Sequence, residues 1–185
     1  MAVSEVQICN MALTKIGVDR IISLDDAVKQ AELCKESYPV IRDEFLGSHP
    51  WNFAITRTSL AAESTAPSWG FARQFPLPTD CLRVLEVYTD LDWHREGNKL
   101  LCDETVLYIK YIKKETDVSK YNPTFSEALS CHLAAHLCYS LVQSTTLRDQ
   151  LLNEAKSKSQ TARSFDAQEG TTQKVRADYW SSKRF

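Results

Sequence analysis

The residue types best suited to binding a metal ion are concentrated in one short segment, which contains Cys131, His132, His136 and Cys138. Two histidines four residues apart share one face of a helix and can both bind zinc. The segment lacks the glutamate of the H-E-x-x-H motif, however, and its two cysteines lie on a neighbouring face, so bringing all four ligands to one ion would distort the helix. We therefore expect core histidines with hydrogen-bond partners and thiols packed as small apolar groups, with no metal bound.

Catalysis by paired carboxylates is harder to judge from the sequence. A glycosidase needs only two carboxylic acids a few ångström apart, and the 24 acidic residues of the chain supply many pairs. Asp43 and Glu44 directly follow Arg42, which favours a solvated, salt-bridged helix face. Glycine-rich phosphate loops and the G-x-S-x-G motif of serine hydrolases are absent from the sequence. We therefore predict that the protein is not an enzyme and has no catalytic residue and no cofactor.

The charge balance argues against a dedicated DNA-binding protein. The chain has 22 basic and 24 acidic residues and a net charge of -2, whereas neutralising phosphates requires a basic excess. No apolar run approaches the ~20 residues needed to cross a bilayer, and the first residues lack the pattern of a signal peptide. We expect a soluble cytoplasmic protein that neither enters a membrane nor reads a DNA sequence.

Apolar residues at spacings of three and four predict four helices, at residues 5–17, 25–47, 124–143 and 146–164. Gly17 is expected to end the first helix in a left-handed conformation. The S-L-D-D sequence at residues 23–26 resembles a capping box for the second helix, where Pro39 predicts a kink or two abutting helices. Asn122 and Pro123 are the expected N-cap and first residue of the third helix. That helix is apolar almost all round, so we expect it to be central.

Between the second and third helices, residues 51–112 change to short β-like runs separated by turn residues, which is typical of an antiparallel sheet. We predict five strands there, at residues 51–60, 69–75, 82–88, 99–102 and 105–112. The E-G-N sequence at residues 96–98 predicts a hairpin turn. The expected fold is mainly α with a small antiparallel β-region (α+β), in which residues 1–165 form a single domain with a four-helix bundle-like core.

Residues 166–185 are predicted to form a flexible C-terminal arm, because they contain no sustained apolar period. An inert terminus is one interpretation of such a sequence. The arm nevertheless carries aromatic and basic residues together, and these residue types anchor protein interfaces. The candidate partner-binding residues are Arg176, Tyr179, Trp180, Lys183, Arg184 and Phe185.

Three parts of the chain carry a recognisable combination of motifs. The first contains I-C-N-M-A-L at residues 8–13, I-S-L-D-D at 22–26, Y-P-V-I-R-D-E-F-L at 38–46 and H-P-W-N-F-A at 49–54. The second contains F-P-L-P at residues 75–78 and D-C-L-R-V at 80–84, and the third contains Y-I at 111–112 and F-x-x-A-L at 125–129. In this combination, from about Val6 to Ala162, the chain resembles the tail tubular protein A family, the head-to-tail adaptors of short-tailed and related tailed bacteriophages.

The resemblance implies a structural protein of the virion that is found at the head-tail junction, and in the host cytoplasm during assembly. Twelve copies would form a ring under the portal protein and above the tail nozzle, and DNA would pass through the ring without sequence-specific binding. The C-terminal segment would extend from the ring and dock on the portal. We further expect a monomer in isolation that assembles only on the portal.

Two other functions are open at this point. A virion-associated peptidoglycan hydrolase would combine a position in the tail with lytic activity. A neck stopper or completion protein would share the helices but bind components one layer further from the portal.

Overall fold

The computed structural model of the protein describes residues 4–169. Within this range the chain forms four α-helices and six β-strands, which confirms the predicted α+β class. The helices are α1 (Glu5–Lys15), α2 (Lys29–Ser48), α3 (Pro123–Val142) and α4 (Thr145–Gln168). The strands are β1 (Ile55–Ala61), β2 (Arg73–Pro76), β3 (Cys81–Tyr88), β4 (Trp93–Glu96), β5 (Lys99–Cys102) and β6 (Val106–Lys113).

Helix α3 lies at the centre of the helical layer, as its apolar sequence predicts. It packs against α1, α2 and α4, and its buried side chains include Phe125, Leu129 and Leu133. Pro123 occupies the first turn, which confirms the predicted start. Asn122 is the N-cap residue, but its side chain makes no capping hydrogen bond. The helix therefore owes its position to packing of its apolar surface more than to its cap.

Aromatic rings join the helical layer to the β-region. Trp51, which follows α2, is almost fully buried, and its indole Nε1 donates a hydrogen bond to the backbone oxygen of Phe45 at 3.1 Å. The ring of Trp51 meets that of Phe125 edge to face, with the centroids 4.9 Å apart. Because aromatic rings bury large areas in defined geometries, this cluster fixes the point at which the chain enters the β-region.

The connection between α1 and α2 is longer than predicted. Gly17 has a φ of +74° and follows the end of α1, as expected for a left-handed residue. Helix α2 begins at Lys29, so the predicted start at residue 25 is wrong. The carboxylate of Asp26 accepts hydrogen bonds from the backbone amides of Ile22 and Ser23. These bonds close a turn ahead of the helix, because an aspartate side chain satisfies backbone donors in turns as well as at helix ends.

Helix α2 is one helix that runs through Pro39, so the alternative of two abutting helices is wrong. The expected solvated face is also partly wrong, because Arg42 is only 4% exposed. Its guanidinium pairs with Asp43 at 2.8 Å, and Asp43 also binds Lys114, just after β6, at 2.7 Å. The predicted salt bridge between Arg42 and Asp43 is present, and the second bridge, to Lys114, attaches α2 to the β-region.

The strands form two antiparallel three-stranded sheets within the described residues, with the orders β1-β6-β3 and β2-β5-β4. The prediction of five strands missed β4, which pairs with β5 through a hairpin. Gly97 lies in that turn with a φ of +56°, which confirms the predicted hairpin. The first strand begins at Ile55 and not at residue 51, because Asn52–Ala54 forms a 3-10 turn.

A second, smaller core lies within the β-region. Its fully buried side chains are Phe75, Leu100, Cys102 and Leu107, which come from β2, β5 and β6. The two sheets therefore share apolar contacts that do not depend on the helices, and the β-region is a folded layer of its own beside the helical core.

Helix α4 extends beyond its predicted end. It runs to Gln168, so residues 166–168, which were expected in the flexible arm, belong to the helix. Asp166 is 3% exposed, which places it in the protein interior. The candidate partner-binding residues of the arm all lie outside the described residues: Arg176, Tyr179, Trp180, Lys183, Arg184 and Phe185.

Candidate interaction surfaces

The four residues of the Cys-His segment on α3 have different surroundings. Cys131 and Cys138 are buried, and the thiol of Cys138 donates a hydrogen bond to the backbone oxygen of Ser144 at 3.5 Å. His132 is half-buried, whereas His136 is exposed. The thiols are therefore packed against the protein interior, and the two imidazoles do not share a common environment.

The imidazole of His132 on α3 contacts the hydroxyl of Ser159 on α4. Its Nε2 lies 2.9 Å from Oγ of Ser159, and that hydroxyl donates to the backbone oxygen of Ala155 at 2.6 Å. Both bonds are satisfied when Nε2 carries the proton and donates it to Ser159. A serine nucleophile needs the opposite arrangement, in which the histidine accepts the hydroxyl proton. In that tautomer the pair is a structural contact that joins α3 to α4.

A cluster of ionisable groups that sequence analysis missed joins α1, α3 and α4. Glu127, Cys131 and Glu154 place ligand-type atoms within 4.8 Å of one another, but the ammonium of Lys15 lies among them. Its Nζ is 2.9 Å from Glu127 and 3.1 Å from Glu154. The hydrogen bond from Lys15 lowers the pKa of Glu154, whereas a catalytic acid needs a raised pKa. The geometry is that of a structural salt-bridge cluster.

The end of α4 is attached to the segment between α2 and β1. Asp166 accepts a hydrogen bond from the backbone amide of Asn52 at 3.0 Å, and the side-chain amide of Asn52 donates to the backbone oxygen of Asp166 at 2.6 Å. His49 Nε2 lies 3.4 Å from the second carboxylate oxygen of Asp166. Burial lowers the pKa of His49, and the nearby Asp166 carboxylate partly opposes this effect. These contacts fix the position of the last turn of α4.

Residues 19–26, here named the Ile22 loop, present an aliphatic side chain from a constrained backbone. Asn10 brackets Ile21: its Nδ2 donates to the Ile21 oxygen and its Oδ1 accepts from the Ile21 amide, both at 2.9 Å. Asp26 accepts from the Ile22 amide at 2.8 Å. The side chain of Ile22 is 93% exposed. An exposed isoleucine looks the same in a sequence as a buried one, so only the fold reveals this surface.

The outer side of sheet β1-β6-β3 carries a second apolar surface, here named the tyrosine face. Tyr88 lies opposite Tyr108, and Ser59 lies opposite Tyr108 on its other side. Tyr88 is 84% exposed. Two residues further along the same strands, Lys110 of β6 forms a salt bridge with Glu86 of β3 at 3.2 Å. Exposed aromatic side chains with a charged rim are typical of protein interaction sites.

A groove of about 250 Å³ lies between α2 and α4, over α3. Ile41 and Phe45 of α2 supply its apolar lining, and Lys156 and Arg163 of α4 supply positive charge, opposed by Glu44. This α2–α4 groove is therefore an apolar slot with a basic rim on the α4 side. It could not be predicted from sequence, because its lining comes from segments more than a hundred positions apart.

Comparison of the sequence with models of known protein families gave no match. Comparison with curated proteins also gave no match. Among residues 4–169, no helix is both long and apolar enough to cross a membrane.

The described residues offer three surfaces suited to binding: the Ile22 loop, the tyrosine face and the α2–α4 groove.

Proposed function

We propose that this protein is a structural adaptor that forms a ring between the portal and the tail of a bacteriophage. This is the function implied by its resemblance to the tail tubular protein A family. In this proposal, twelve copies line part of the DNA ejection channel, with the portal protein above the ring and the tail nozzle below it.

The observation that carries the proposal is the exposure of large apolar side chains on separate segments of the fold. Ile22 is 93% exposed, Trp69 is 87% exposed and Tyr88 is 84% exposed. Burying one such side chain is worth about 1.5–3 kcal/mol, so contact with a partner would recover stability that the isolated chain lacks. An adaptor in a ring touches neighbours on several sides, and separated apolar surfaces support that role.

The C-terminal residues 170–185 have the composition of a docking segment. They contain Tyr179, Trp180 and Phe185 together with basic residues, and they follow a helix end that is attached to the domain through Asp166. Ordering a free segment costs about 1–2 kcal/mol per residue in backbone entropy, which the aromatic anchors must offset. Twelve such segments acting together make a modest affinity of each one sufficient.

The charge of the chain fits a channel through which DNA slides. A net charge of -2 would leave the channel wall weakly attractive at most, whereas a strongly basic wall would hold the phosphates through counterion release. The proposal therefore includes passage of DNA without sequence-specific binding.

The decisive experiment compares the full chain with a chain that ends at Glu169. The shortened chain keeps Asp166 and its contacts, so we expect it to fold normally but to lose binding to the portal protein of the same phage in a pull-down assay. A full-length control with Tyr179→Ala, Trp180→Ala and Phe185→Ala should lose binding as well. Undiminished capture of portal by both variants would remove the C-terminal segment from the mechanism.

Assembly on the portal is a separate part of the proposal. We expect the isolated protein to be mainly monomeric at micromolar concentration, because ring contacts become favourable when the portal holds neighbouring copies together. Light scattering coupled to size-exclusion chromatography measures the mass directly. A stable ring in the absence of portal would contradict templated assembly.

The hydrolase and stopper alternatives are separated by inexpensive assays. Zymography of the purified protein on peptidoglycan should show no clearing if the protein is an adaptor. A stopper or completion protein would capture tail components and not the portal in the same pull-down.

A further inference from the structure

We propose that neighbouring copies in the ring contact each other by inserting the Ile22 loop of one copy into the α2–α4 groove of the next. This inference rests on the proposed ring and names the two surfaces that form it. A closed ring requires a heterologous interface, in which one surface meets a different one. The Ile22 loop and the groove are such a pair on a single chain.

The two surfaces are compatible in size. Ile22 is the most exposed large apolar side chain among residues 4–169. The loop backbone is held by Asn10 at Ile21 and by Asp26 at Ile22, so the side chain can enter a partner without ordering first. The groove of about 250 Å³ has room for an aliphatic side chain and is lined by Ile41 and Phe45. Contact would remove the exposed Ile22 side chain from water.

The charges of the two surfaces also match. Residues 19–26 contain three aspartates and one arginine, and Asp25 is paired with Lys35 at 2.7 Å, so the loop keeps a small excess of negative charge. The groove is lined by Lys156 and Arg163 against a single acid, Glu44. The guanidinium of Arg163 donates one hydrogen bond to Ser48 at 3.2 Å. Arg163 is half-buried at the groove, and its positive charge would attract an acidic side chain of the Ile22 loop.

Charge selects the second copy over the chain's own C-terminal residues as the occupant. Residues 170–185 contain four basic residues and one acidic residue, so they would meet the basic side of the groove with like charge. The acidic Ile22 loop meets it with opposite charge. Removal of residues 170–185 should therefore leave self-association unchanged.

The first test uses two singly blocked chains. Ile22→Lys blocks the loop and Arg163→Glu blocks the groove, so neither variant alone should associate at high concentration. Their equimolar mixture retains one intact surface of each kind, and sedimentation velocity should show a heterodimer. Self-association of either variant at the wild-type level would overturn the inference.

The second test applies to copies assembled on the portal and is decisive if the free chains stay monomeric. A chain with Ile22→Cys and Gln160→Cys should form covalent multimers with a short bismaleimide, since Gln160 lines the groove. The matched control pairs Ile22→Cys with Thr146→Cys, which is exposed on the same helix. Absence of multimers, or equal yields from both pairs, would overturn the interface while leaving portal capture by the C-terminal segment intact.

Discussion

The carboxylate of Asp166 accepts a hydrogen bond from the backbone amide of Asn52, although the two residues lie 114 positions apart in the chain. Asp166 is 3% exposed, so its carboxylate depends on donors from the protein. A hydrogen bond to a charged group contributes about 1.5–3 kcal/mol. The contact therefore matters for stability as well as for the position of the last turn of α4.

Replacing Asp166 by alanine should destabilise the domain by about 1–3 kcal/mol, because the hydrogen bond between the Asn52 amide and the buried carboxylate would be lost. Urea unfolding followed by circular dichroism measures the change in the free energy of unfolding. Asp149→Ala on the same helix is the matched control, since its side chain is 64% exposed, and we expect a change within about 0.5 kcal/mol. Equal effects of the two substitutions would show that the Asn52 contact contributes nothing.

Two C-terminal truncations should differ sharply in stability although they end only four positions apart. A chain that ends at Glu169 retains Asp166 and should unfold at nearly the same urea concentration as the full chain. A chain that ends at Phe165 loses both hydrogen bonds with Asn52 and should be destabilised by about 2 kcal/mol or more. Coincident unfolding curves for the two truncated chains would contradict this prediction.

The parts of the fold that sequence predicted correctly depend on local chemistry. Gly17 and Gly97 adopt positive φ values where a helix end and a hairpin turn were expected, because glycine alone takes this conformation without strain. Pro123 opens α3 because its missing amide is not needed in the first turn. Each of these signals lies within a few residues of the structure that it specifies.

The parts that were missed depend on distant contacts or on weak local signals. Strand β4 is exposed at all four positions, so it has no alternation of apolar and polar residues to reveal it. Asp166 looks like part of a polar tail until Asn52 is placed beside it. The α2–α4 groove and the exposure of Ile22 likewise arise only when the helices have packed. Surfaces that bind partners are for this reason harder to predict than helices.

His132 should make the stability of the domain depend on pH near neutrality. Burial lowers its pKa below the ordinary value of 6.5, so the unfolded chain binds the proton more readily than the folded one. Stability is therefore highest above about pH 6.5 and falls as the pH drops towards the lowered folded pKa. We expect His132→Gln to lose less stability than wild type between pH 7.5 and about pH 5.5 in urea unfolding.

A matched control for His132 is Phe45→Leu. The ring of Phe45 packs on that of His132, with the centroids 4.9 Å apart, so this substitution disturbs the same contact without removing an ionisable group. It should lower stability by about 1 kcal/mol at every pH. If the His132→Gln variant keeps the full wild-type pH dependence, His132 is not the group responsible.

Lys15 should stabilise the domain only while its acidic partners are ionised. It pairs with Glu127 and Glu154, and Lys15→Met would leave two carboxylates side by side, lowering stability by about 1 kcal/mol at pH 7. The hydrogen bond from Lys15 lowers the pKa of Glu154 below 4.5. The stabilising effect of the Lys15 contacts is thus complete above about pH 4.5 and is lost as the pH falls through the lowered folded pKa of Glu154.

Unfolding free energies of wild type and Lys15→Met should therefore converge in acid. The control is Lys156→Met, which replaces an exposed lysine on α4 and should show no such convergence. A gap between wild type and Lys15→Met that stays constant down to pH 3 would mean that the effect of Lys15 is packing of its aliphatic stem and not charge.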